Sequence, residues 1–105
     1  ASDRPADLGP QDVVISTMKA CSLPGLAETV TPLLGKETPV VFVQNGIPWW
    51  YAHGLGSARP AAPDLSRLDP GGALAKAVGH ARTIGAVVTS SNHVIEPGVV
   101  RNISP

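Results

Sequence analysis

Two apolar runs rich in β-branched residues, separated by about twenty residues that carry a helical stripe, constrain this chain more than any other feature. The first run is Asp12-Val13-Val14-Ile15-Ser16-Thr17-Met18, and the second is Pro39-Val40-Val41-Phe42-Val43-Gln44. Neither alternates strictly, which suits strands buried on both faces of a sheet. Between them Leu23, Leu26, Ala27, Val30, Leu33 and Leu34 recur at helical spacing and form one apolar stripe. Ser22 reads as the N-cap of that helix, with Pro24 tolerated in its first turn. Thr31-Pro32 reads as a restart with its own N-cap, and Gly35 stands where a C-terminal glycine belongs. A helical connection of this length makes a parallel crossover and is far too long for a hairpin. Such crossovers are almost always right-handed.

The rest of the chain is shorter in its elements. Residues 1–11 read as a lead-in loop with a weak turn of helix. Asn45-Gly46 closes the second strand with turn chemistry. Pro48-Trp49-Trp50-Tyr51-Ala52-His53 reads as a short helix stopped near Gly54. Residues 54–68 are rich in Gly, Ala, Pro and Ser and read as a mobile loop. Asp69-Pro70 reads as an N-cap and first helical residue, opening a helix through Leu74, Ala77 and Val78 to about Gly79. Thr83–Ser90 reads as a strand, as do 93–96 and 99–103. Glu96-Pro97-Gly98-Val99 between the last two has the proline and glycine of a type II turn. The fold class expected is α/β: a partial Rossmann-like sheet, with a parallel β-α-β crossover followed by short strands.

Composition excludes several classes of function. The 105 residues suffice for one small domain. Eight basic and eight acidic residues cancel, so no basic excess is present to neutralise phosphates, and nucleic acid is not an expected partner. No apolar run approaches the roughly 20 residues of a membrane span, and no signal peptide is visible. A single cysteine, Cys21, cannot form an internal disulfide and fits a reducing, cytoplasmic setting. Charged residues make up only 15% of the chain, against roughly 25% for a typical globular protein. That imbalance implies surface meant to be covered.

The candidate site lies at the carboxyl ends of the two strands, where open α/β sheets bind their ligands. Lys19 follows the first strand and Asn45-Gly46 follows the second, so parallel strands bring them to one sheet edge. A lysine there offsets phosphate charge. An asparagine offers one acceptor and two donors to a ligand ring or carboxylate. Gly46 lets backbone approach a ligand closely. Taken singly, each also has a plain reading, as a solvated strand end and an ordinary turn. His53, His80 and His93 lack metal-ligand spacing, and no metal site is expected. Cys21 at a helix start reads as a packed or incidental thiol rather than a nucleophile. The Trp49-Trp50-Tyr51 cluster reads as a buried wedge, or as a patch for a partner surface, more readily than as a binding platform.

These segments together resemble the ketopantoate reductases (2-dehydropantoate 2-reductases) of pantothenate biosynthesis. Val13-Val14-Ile15-Ser16-Thr17-Met18-Lys19-Ala20 is similar to the strand of that family that ends in a lysine-alanine pair. Val40-Val41-Phe42-Val43-Gln44-Asn45-Gly46 is similar to its next strand, with terminal asparagine-glycine. Ile84-Gly85-Ala86-Val87-Val88, then Glu96-Pro97-Gly98-Val99-Val100, resemble its later strands, so the likeness covers nearly the whole chain in order. The resemblance implies an NADP(H) site that includes Lys19, Asn45 and Gly46, with Asn45 also beside a 2-keto acid substrate. No catalytic residue is implied within the chain.

The family pattern also includes parts that do not match. Its opening strand and G-x-G-x-x-G turn hold pyrophosphate on a helix N-terminus. The string Gly54-Leu55-Gly56-Ser57-Ala58-Arg59 lacks the third glycine and follows no strand. The family's catalytic lysine and acidic residue lie in a helical second domain, which residues 1–105 do not contain. The chain therefore corresponds to the second half of a dinucleotide-binding domain, lacking the first βαβ unit. Alone it is expected to be inactive, without phosphate cradle or general acid. The alternative is a non-catalytic, self-associating α/β module. In either case the strand at 12–18 is expected to expose an edge that recruits a second copy.

Overall fold

A computed structural model describes residues 2–56, 61 and 63–104. The two apolar runs form β1 (Val14–Ser16) and β2 (Val40–Val43), which pair in parallel with Val14 opposite Val40 and Ser16 opposite Phe42. β3 (Thr83–Ala86) adds in parallel on the far side of β2, so the sheet order is β1-β2-β3. This is the α/β crossover arrangement expected from the sequence. Each strand is shorter than its apolar run, because the run continues past the last ladder pair.

The crossover departs from the sequence reading at its start. A 3-10 turn covers Ala20–Gly25, and α1 spans only Leu26–Val30. Ser22 lies inside that 3-10 turn and caps nothing. Pro24 has no N–H to give an α-helical ladder and Gly25 is a poor helix former, so regular α-helix begins only beyond them. The restart at Thr31–Leu33 is present as a second 3-10 turn. Its Thr31 hydroxyl donates back to Ala27 O at 2.6 Å instead of capping. Most of the stripe is buried as expected: Leu23, Leu26, Ala27 and Val30 lie in the core with Leu34 packed against it, whereas Leu33, in the second 3-10 turn, is only half-buried and outside that cluster.

α2 occupies Ala73–Ala77, later than the sequence suggests. A 3-10 turn over Pro70–Gly72, with Gly71 and Gly72 at positive φ, intervenes after Asp69. Asp69 still acts as the cap: its carboxylate accepts from Leu74 N at 2.7 Å and Ala75 N at 3.1 Å. At the other end Arg82 closes the helix. Its guanidinium donates to Val78 O, Ala77 O and Gly35 O, each at 2.8 Å, and so ties α2 to the loop before β2.

Alternation along β2 explains the core. Val40 and Phe42 point to the helical side and are fully buried, with Leu23, Val30, Leu74, Val78 and Trp49 around them. The segment after β2 is a series of turns rather than the expected short helix, with Tyr51 N donating to Pro48 O and His53 N to Trp50 O. It wedges Trp49 and Trp50 over Phe42, at ring centroid separations of 6.0 and 5.1 Å. The mobile-loop reading of residues 54–68 falls partly outside the described residues, at 57–60 and 62.

The opposite face of the sheet is open. Ile15 is 63% exposed and Ile84 48%, and Val41 and Val43 between them are half-buried. Parallel sheets ordinarily have both faces covered. β4 (Asn92–Glu96) and β5 (Val99–Asn102) form a separate antiparallel hairpin, turning at Gly98 with φ +83°, as a type II turn requires. All its residues are exposed. The radius of gyration, 15.5 Å, exceeds the roughly 13 Å of a compact domain of this length.

Candidate functional site

Both strands of the crossover end at the same edge, and a cleft of about 300 Å³ opens there. Thr17, Met18, Lys19 and Ala20 line it from the end of β1, Val43, Gln44 and Asn45 from the end of β2, and Val88 from beyond β3. Lys19 and Asn45 are therefore in one cleft. Larger in volume, at about 350 Å³, is a depression lined by Arg4, Glu28 and Pro32. It borders the carboxyl end of α1, hence the amino ends of the strands, away from the edge where parallel sheets bind ligands.

The side chains at the edge are held differently. Lys19 leads directly from extended backbone into the 3-10 turn, with φ −66° and ψ 151°. It is exposed and makes no ion pair among the described residues. Asn45 is anchored: its Oδ1 accepts from Val88 N at 3.1 Å. With that oxygen already accepting from the backbone, the Nδ2 group is the wholly unengaged end of the Asn45 amide among the described residues. The cleft thus presents donors, an ammonium and an amide NH2, and suits a ligand rich in acceptor oxygens.

Gly46 lies apart from Lys19. It lines a second cleft of about 230 Å³ on the other side of the β2 terminus, with Phe42, Gln44, Pro48, Trp50 and Gly85. Its φ of +98° is one that side chains rarely adopt, so the turn itself requires glycine. Trp50 closes this cleft. A Cβ on Gly85 would stand 3.1 Å from its Cζ2, so the indole lies directly on the β3 backbone.

Some features escape a reading of the sequence. Gln44 borders both clefts, and its Nε2 is buried without a hydrogen-bond partner among the described residues. Strand alternation could have found it, since Gln44 shares the parity of Val40 and Phe42. His53 and His80 stack at 3.9 Å with an interplanar angle of 6°, beside Trp49. No spacing in the sequence signals that pair. Cys21 is free and exposed.

Comparison with known proteins decides the ancestry. The family model for ketopantoate reductase PanE/ApbA matches residues 1–104. The chain belongs to the ketopantoate reductase family. A 2-dehydropantoate 2-reductase of Mesorhizobium japonicum (strain LMG 29417 / CECT 9101 / MAFF 303099) is 42% identical over 103 residues, which are 98% of this chain and 31% of that protein. A crystal structure of a candidate ketopantoate reductase from Ralstonia solanacearum MolK2 superposes with a TM-score of 0.81 at 34% identity, over 98% of this chain and 32% of that one. The chain thus spans about a third of the length of these ketopantoate reductase relatives. Its three-stranded parallel sheet with two helices matches part of their fold.

A nicotinamide dinucleotide of the kind the family implies fits this edge in part. Lys19 can balance a phosphate or carboxylate, and the free Asn45 amide can meet a carbonyl oxygen. The described residues contain no glycine-rich strand-to-helix turn of the kind that cradles a pyrophosphate.

Proposed function

We propose that this chain forms the nicotinamide side of an NADP(H)-dependent reductase acting on 2-dehydropantoate or a related 2-keto acid. The observation that carries the proposal is the shared cleft of Lys19 and Asn45 at the carboxyl edge of a parallel sheet. NADPH, when bound, supplies the hydride. The Lys19 ammonium offsets negative charge on the dinucleotide. The Asn45 amide, held by Val88 N, orients an acceptor oxygen of nicotinamide or keto acid. Gly46 keeps the β2 terminus free of a side chain that would crowd the ligand. Substrate and cofactor enter here as properties proposed from the family, together with a cytoplasmic setting. The non-catalytic alternative is not favoured, since the matched proteins are reductases.

The chain by itself is proposed to be inactive and to bind NADPH weakly, with a dissociation constant of about 1 mM or weaker, equivalent to a binding free energy of about −4 kcal/mol or less favourable. Titration of the ¹⁵N-labelled chain with NADPH tests this. Amides of Thr17–Ala20 and Asn45 should shift, and the shifts should vanish in Lys19→Ala. No shift at this edge, or one indifferent to Lys19, would sink the reading.

We also propose that the chain self-associates through β1. Val14 N donates to Pro39 O at 3.0 Å, toward β2. Backbone groups alternate along a strand, so those of Val13, Ile15 and Thr17 face the free edge. No charge or proline interrupts that edge between Val13 and Met18, so it lacks the usual protection against pairing.

A further inference from the structure

Among the residues lining the two clefts at the end of β2, Gln44 alone borders both. Its backbone is committed, with N–H donating to Ala86 O at 3.1 Å. Its side chain is not: Nε2 is buried and meets no acceptor among the described residues. A buried donor without a partner destabilises a fold, and an apolar side chain of the same length would be better there for stability alone. The terminal torsion of glutamine is broad and roughly two-fold. Nε2 is the enclosed atom of the amide as it stands, and a half-turn exchanges it with Oε1, leaving the oxygen enclosed and turning the donor toward whatever fills the cleft.

The neighbours specify what that is. Lys19 has no acceptor, and the Asn45 oxygen is turned to Val88 N, from which it accepts. A third donor beside these two calls for an oxygen. We infer that Gln44 is a ligand-binding residue whose Nε2 donates to a carbonyl or carboxylate oxygen seated over the end of β2. The inference rests on the functional reading above. The oxygen belongs either to the carboxamide of the dinucleotide or to the 2-keto acid.

The test uses the ¹⁵N-labelled chain and two probes, NADPH and 3-methyl-2-oxobutanoate, each taken to about 20 mM, where a millimolar complex approaches saturation. The Gln44 side-chain NH2 resonances should shift with at least one probe, and which probe moves them assigns the oxygen. Gln44→Met, of similar length and without polar atoms, should raise Tm by about 4–8 °C. It should also weaken binding of that probe by about tenfold. Stability and binding then move in opposite directions, which a merely structural glutamine would not produce. A lower Tm in Gln44→Met would show that the amide has a partner within the fold and would overturn the inference. Unchanged affinity for both probes, with Lys19-dependent NADPH shifts intact, would overturn it while leaving the functional reading standing. Binding of neither probe by the parent chain would overturn both.

Discussion

Substituting aspartate for Asn45 separates its anchoring role from its proposed ligand role. The anchor is the bond from Val88 N to Oδ1, 3.1 Å long and solvent-exposed. Aspartate keeps an acceptor in that place, so the bond survives. What changes is the other end of the amide, where two donors become an acceptor carrying negative charge. Against NADPH this removes a hydrogen bond from the amide to a neutral carbonyl oxygen, about 0.5–1.5 kcal/mol. It also adds repulsion, which for unit charges near 4 Å runs from about 1 kcal/mol in water to about 4 kcal/mol at an effective dielectric of 20. The cleft is open to solvent, so the lower part of that range applies, and the total is about 1.5–3 kcal/mol. That is a loss of roughly 10- to 150-fold in affinity.

The assay is the same NADPH titration, read with a thermal melt. Asn45→Asp should abolish the shifts at Lys19 and its neighbours while leaving Tm within about 2 °C of the parent, less than the shift from losing one hydrogen bond. Asn45→Ala removes the anchor as well, at about 1 kcal/mol, and should lower Tm by about 4–8 °C. The reasoning is refuted if Asn45→Asp binds NADPH as the parent does. It is refuted equally if aspartate destabilises more than alanine, because Oδ1 would then not be the group that Val88 holds.

Two further outcomes follow from the packing. Antiparallel pairing of β1 about a two-fold axis at Ile15 places Ile15 opposite its own copy and Val13 opposite Thr17, joining outward backbone groups to outward backbone groups. Ile15→Lys and Ile15→Glu should each be monomeric in sedimentation at low micromolar concentration and should associate when mixed, since like charges directly opposite repel and unlike ones attract. Ile15 is 63% exposed, so neither change empties the core. A monomeric parent chain would reject the proposed pairing. Arg82→Met should lose about 2–3 kcal/mol in urea unfolding, from three 2.8 Å bonds to carbonyls discounted for a half-buried site. Arg82→Lys should recover no more than one of the three, and a loss below about 0.5 kcal/mol would mean that water replaces the guanidinium.

The sequence discloses what depends on period and composition. Val40 and Phe42 alternate inward, Leu23, Leu26 and Val30 repeat at helical spacing, and a parallel crossover follows from their order. It misplaces what depends on local competition. Pro24-Gly25 delays α1 until Leu26, and Gly71-Gly72 delays α2 until Ala73, although Asp69 reaches across the gap to cap it. It hides what depends on distant segments meeting: Arg82 on Gly35, His53 on His80, Trp50 on Gly85.

The edge carrying Lys19 lies between these cases, and strand geometry says more about it than motif order does. Successive residues on a strand point to opposite faces. Gln44 continues the side of Val40 and Phe42, toward the helices and Trp50. Asn45 turns to the other side and toward Val88. A ligand on either face of the sheet could meet one of these amides and not both. Yet both line the cleft that holds Lys19. A ligand held by all three must therefore lie across the end of β2, beyond its last ladder pair at Val43 and Ala86.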